Sequence, residues 1–87
     1  MDTQQQEGKT TPQTTGEKLV GLDFNPGGSP DVNRAKQDIA GLIDLVDKRF
    51  EEKGDACTRQ DTELYHWAKK NLLEAQMMTV KFLTNRH

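Results

Sequence analysis

The 87-residue sequence predicts a mainly α fold: an antiparallel two-helix hairpin with a short N-terminal extended arm, assembled into a homo-oligomer. Three observations carry this reading. Two long segments place apolar residues at three- and four-residue steps, the period of a helix with one buried face. The connection between them is too short for anything but a tight reversal. The chain is also only 32% hydrophobic against 30% charged, with a mean hydropathy of −0.90. A chain of 9.8 kDa with so little apolar surface cannot fill a large core, so a partner must complete the fold or part of it must stay disordered.

Residues 1–17 (MDTQQQEGKTTPQTTGE) are rich in Thr and Gln and have no apolar side chain after Met1, which predicts a disordered tail. The domain is then 18–87. In KLVGLDF (18–24), Val20, Leu22 and Phe24 alternate with polar or small residues, the period-2 pattern of an extended arm. Such an arm must lie on the helices or pair with a neighbouring chain. NPGGSP (25–30) is a turn: Asn25 precedes proline, Gly27 and Gly28 permit positive φ, Ser29 can cap, and Pro30 suits a first helical position.

Helix one is expected over about 30–53, with Val32, Ala35, Ile39, Ile43, Val46 and Phe50 on one face and Gly54 ending it. Helix two is expected over about 58–84, opened by an approximate capping box of Thr58 and Asp61. At 1.5 Å per residue the two would be roughly 35 and 40 Å long. Helix two carries a main stripe of Leu64, Trp67, Ala68, Leu72, Ala75, Met78 and Phe82, expected to face helix one. A second stripe of Leu73, Met77 and Val80 falls nearly opposite, and a hairpin covers only one. Each exposed side chain of that kind forgoes about 1.5–3 kcal/mol. Either copies associate through the second stripe, or the arm folds back over it.

Charge and motifs exclude several functions. Twelve basic against fourteen acidic residues give a net charge of −2, whereas a duplex-binding domain carries a basic excess to displace counterions. DNA and RNA helices are thus not expected as partners; a small anion remains compatible. Cys57 is the single cysteine, and the apolar runs are pairs such as Leu72-Leu73, so neither a disulfide, a membrane span nor a signal core is expected. A reducing cytoplasm is the expected location. His66 and His87 are the only histidines and neither sits at a metal-ligand or nucleophile spacing. No enzyme, cofactor or metal is expected.

Lys36 stands out. It projects about 40° from Val32 on the helical wheel, within the apolar sector. There it either snorkels past the core edge or is held for an anion. The turn Gly27-Gly28-Ser29-Pro30 before it is either a plain helix cap or a cradle for phosphate. Phe24 is either an anchor for the arm or, with Asn25 beside it, the aromatic face for a nucleobase. Lys69, Lys70 and Lys81 flank helix two; repeated about a symmetry axis, they could hold a cyclic polyanion.

FNPGGSPDVNRAKQDIAGLID (24–44) resembles the FNPSGDPRVDxIKxxAAxLID pattern of small phage proteins, and WAKKNLLEAQMMTVK (67–81) resembles their helix containing A-K-T-H-L-E. These are the anti-CBASS and anti-Thoeris sponge proteins, and the similarity covers about 19–83. It implies a non-enzymatic helical hairpin, hexameric, that sequesters cyclic nucleotide immune signals in the cytoplasm of the infected bacterium. By this resemblance the ligand is a cyclic dinucleotide, a cyclic trinucleotide at a separate site, or a cyclic ADP-ribose isomer. Phe24, Asn25, Pro26, Gly27 and Lys36 match the dinucleotide-type pocket, and Lys69 matches the second site. Lys70-Asn71 stands where the family has Thr-His, and Gly28-Ser29 where it has Gly-Asp.

Overall fold

A computed structural model describes residues 12–85 and contains three α-helices among them. They are α1 (Thr15–Val20), α2 (Pro30–Lys53) and α3 (Arg59–Thr84), with a single 3-10 turn at Gly54–Ala56. The long helices begin where their caps lie. Ser29 Oγ accepts from the Val32 N–H at 3.3 Å, and Pro30, which has no N–H to satisfy, is the first helical residue. Thr58 and Asp61 make a full reciprocal box, each accepting the other's backbone N–H at 3.0 Å. Gly54 closes α2 at φ 48°, a conformation that favours glycine.

The two long helices run antiparallel, with cross-helix contacts from the closed end to mid-hairpin. At its closed end Lys53 Nζ lies 3.1 Å from Asp61 Oδ1, and the Phe50 and Tyr65 rings stack at 3.9 Å and 8°. Next along, Asp47 accepts from Tyr65 Oη at 2.5 Å and from Lys69 Nζ at 2.9 Å. Ile43, completely buried, then packs with Leu72 and Leu73, and Val32 and Val80 line a shared groove at the open end.

Three expectations are corrected. First, the extended arm at 18–24 is a helix followed by a turn. The signal was Thr14-x-x-Glu17: Thr14 Oγ1 accepts from the Glu17 N–H at 3.1 Å and Glu17 Oε1 from the Thr14 N–H at 2.9 Å. Gly21, at φ 66°, ends the helix by donating to Lys18 O, while Leu22 donates to Glu17 O. Six residues are too few to be helical alone, so tertiary docking holds α1. Val20 joins Ala40 and Ile43 in the core, and Gly16 lies flat on α2, where a Cβ would collide with the Ala40 carbonyl oxygen. Second, the disordered tail expected at 1–17 does not extend to residue 17: α1 begins at Thr15. Residues 1–11 lie outside the described residues.

Third, α3 turns a different face to α2 than its apolar residues favour. The packed sector holds Tyr65, Lys69 and buried Gln76, flanked by Leu72 from the edge of the main stripe and Leu73 from the edge of the second. Leu64, Trp67, Met78 and Phe82 of the main stripe are exposed, Trp67 by 58% and Phe82 by 78%. Of the second stripe, Leu73 packs against the Val20 cluster, Val80 is half-buried and Met77 is exposed. The Asp47–Tyr65–Lys69 network explains the rotation: these groups meet only when their side of α3 faces α2. Among the described residues the buried apolar side chains are consequently just Val20, Val32, Ala40 and Ile43. The radius of gyration, 15.8 Å, exceeds the roughly 12 Å of a compact domain of this length.

Two outcomes are expected. Ile43→Val should lower stability by about 0.5–1.5 kcal/mol, seen as a lower urea midpoint at unchanged slope. Acid should also destabilise the hairpin. Burial alone would raise the Asp47 pKa, but hydrogen bonds from Tyr65 and Lys69, with the Lys69 charge, hold it below the usual carboxylate value. The Thr58 N–H and the Lys53 ammonium hold Asp61 low likewise. Groups depressed in the folded state stabilise it above their unfolded value of about 3.9 and lose that contribution as pH falls through the folded values. The urea midpoint should therefore be flat above about pH 5 and fall below about pH 4, with a shallower fall in Asp61→Asn.

Candidate functional site

The open end of the hairpin forms a groove of about 520 Å³. One wall is the turn from Phe24 to Ser29, the floor is Val32 and Lys36 of α2, and the far wall is Val80, Leu83 and Thr84 of α3. Five of the six residues singled out in the sequence meet here: Phe24, Asn25, Pro26, Gly27 and Lys36. The α3 wall is what sequence reasoning missed. Helices of 24 and 26 residues in an antiparallel pair bring the end of the second beside the start of the first, so the near-equal lengths were the available signal.

Among the described residues, Lys36 is the one charged side chain lining the groove, and it is only 5% exposed. Its Nζ donates to Gly21 O at 2.9 Å and to Phe24 O, and lies 5.6 Å from the Phe24 ring centroid. Among the described residues it forms no ion pair with a carboxylate. Two carbonyl dipoles satisfy two of its three donors and none of its net charge. A buried ammonium compensated only by dipoles favours an anion nearby.

The neighbouring side chains shape the rest. Phe24 is 72% exposed, so its ring is open to stacking rather than packed as an anchor. Asn25 Nδ2 donates to Ser29 O at 2.9 Å and so stiffens the turn, as does Gly28, which sits at φ 66° and donates to Asn25 O. A Cβ on Gly27 would meet nothing within 4 Å, so the space above it is open. The helix start itself acts as a cap: Pro30 has no N–H, Ser29 takes that of Val32, and Asp31 adds a negative charge in the first turn. Attraction for an anion therefore comes from Lys36 rather than from the start of α2.

Lys69 is not part of this groove. It lines a second, more open depression of about 540 Å³ with Thr14, Asp47, Lys48, Phe50 and Tyr65. There its Nζ bonds Asp47 Oδ1 at 2.9 Å and Tyr65 Oη at 3.1 Å, over the Tyr65 ring. Burial alone would lower its pKa; the Asp47 and Tyr65 contacts outweigh that and raise it. Within one chain its geometry is that of a cross-helix tie.

The described residues hold no group of three or more His, Cys, Asp or Glu side chains able to bind a metal ion, and no described helix is long and apolar enough to cross a membrane. His87 lies outside the described residues. Comparison with protein-family models, with curated proteins and with solved structures gives no match.

Lys69→Met should remove the Asp47 tie, whose side chains are 21% and 24% exposed, and lower stability by about 1 kcal/mol. Urea unfolding of the wild type and the variant measures this loss.

Proposed function

We propose that this protein is a non-catalytic binder of a cyclic nucleotide signal, a phage-encoded sponge that captures the messenger in the host cytoplasm and so blocks CBASS- or Thoeris-type defence. The observation that carries the reading is Lys36: a buried cation with no carboxylate partner among the described residues, lining a groove whose rim bears an exposed aromatic ring. A phosphodiester supplies the missing negative charge, and its nucleobase has the Phe24 face on which to stack. The sequence resemblance over 24–44 and 67–81 points to the same chemistry. Cyclic dinucleotides are the favoured class, because one groove of about 520 Å³ with one cation suits a compact ligand.

Sequestration acts by mass action, so the complex must be tighter than the signalling concentration. Submicromolar affinity means more than about 8 kcal/mol. An exposed ion pair contributes at most about 1 kcal/mol, so base stacking and a desolvated Lys36–phosphate contact must supply the remainder. Assembly fits this need, because a second protomer would close an open groove. The exposed face of α3 is the contact we propose for assembly: Leu64, Trp67, Met78 and Phe82 form one exposed apolar stripe along that helix. A homo-oligomer, a hexamer by the resemblance, would cover it. That stripe equally supports a second reading, a helical interaction module docking on a foreign protein.

Calorimetry against cyclic di- and trinucleotides and cyclic ADP-ribose isomers tests the proposal. Tight uptake is expected, with intact ligand recovered after denaturation. Cleaved ligand would establish an enzyme, and no uptake across the panel would favour the interaction module. Lys36→Met should weaken binding at least tenfold. Trp67→Glu should convert the assembly to monomers in sedimentation, and unchanged assembled mass in that variant would exclude the α3 stripe as the contact.

A further inference from the structure

We infer that Gly16 and Asp44, neither of which lines the groove, are positioning residues for it: they dock α1 on α2 and so hold the carbonyls that aim the Lys36 ammonium. The inference rests on the groove reading above. The connection is continuous. Asp44 Oδ1 accepts the Gly16 N–H at 2.8 Å at the start of α1, and Gly16 itself is pressed against the Ala40 carbonyl, where only glycine fits. Val20 buries the other end of α1 against Ala40 and Ile43.

One residue later, Gly21 O accepts from Lys36 Nζ at 2.9 Å and from the Phe24 N–H at 2.9 Å. The placement of one short helix thus decides where a carbonyl lies, and that carbonyl fixes both the cation and the backbone of Phe24. A six-residue helix has no stability of its own. Undocking at Asp44 should therefore melt α1 and release Gly21, Phe24 and Lys36 together. Ligand affinity then scales with the fraction of molecules in which α1 is docked, since only these present the formed groove.

Three variants of the full chain test this: Asp44→Ala, Asp44→Asn, which keeps the acceptor oxygen, and Gly16→Ala. In Asp44→Ala, amide exchange at Leu22 and Phe24 should rise at least tenfold while α2 and α3 stay protected. Affinity for a cyclic di-AMP, cyclic di-GMP or cyclic GMP-AMP probe should fall at least tenfold. Asp44→Asn should restore most of both, which a loss of charge alone would not allow. Gly16→Ala should reproduce Asp44→Ala with the carboxylate intact.

Exchange at Leu22 and Phe24 unchanged in Asp44→Ala would overturn the inference, as would a rise in exchange with affinity unaltered. Should the wild type bind none of the probes, the groove reading fails, but the positioning role is still decided by the Lys36 ammonium resonance. Slow proton exchange of that ammonium in the wild type, lost in Asp44→Ala and regained in Asp44→Asn, supports positioning; identical exchange in all three overturns it.

Discussion

The Lys36 ammonium, held between the carbonyls of Gly21 and Phe24, is the contact on which the rest of this structure depends. It joins α2 to the segment that follows α1. It buries a positive charge at the floor of a groove, and it fixes the turn that forms the groove's rim. Burial of an ammonium without a counter-ion is costly, and backbone dipoles offset only part of that cost. In the function we propose, the same chemistry that closes the fold leaves a site for a negative charge.

The second organising feature is the polar tie of Asp47, Tyr65 and Lys69 at mid-hairpin. By selecting which side of α3 meets α2, it withdraws Leu64, Trp67, Met78 and Phe82 from the intramolecular core. A hairpin with four buried apolar side chains among its described residues and a long exposed apolar stripe has unused hydrophobic free energy, which association with another surface would recover. Fold and proposed function meet here: the groove is open at one end of the hairpin, and the uncovered stripe runs along the helix that supplies its far wall.

Much of the local architecture was legible in the residues. Ser29-Pro30, Gly54 and the Thr58/Asp61 box mark the long helices because capping is settled by side chains a few residues away. The groove residues Phe24, Asn25, Pro26, Gly27 and Lys36 were legible as a group because they are near neighbours in the chain and on the first turns of α2. The short helix α1 was missed although Thr14 and Glu17 announce it, because the alternation of Val20, Leu22 and Phe24 competes with that cap. Docking on α2 decides between them, and a glycine that fits against Ala40 permits it.

Lys69 shows the limit from the other side. Its place in a motif pointed to a ligand; in this chain it is tied to Tyr65, one turn earlier on the same helix, and to Asp47, 22 residues away, which the hairpin brings to it. By itself, then, the sequence determined the helical period, the caps, the reversal and the turn that precedes Lys36, all of them set by short-range chemistry. Tertiary structure alone decided the rotation of α3, the helicity of α1 and the α3 wall of the groove. Each of these turns on which of several nearly equal surfaces is desolvated, and that balance is struck between residues far apart in the chain.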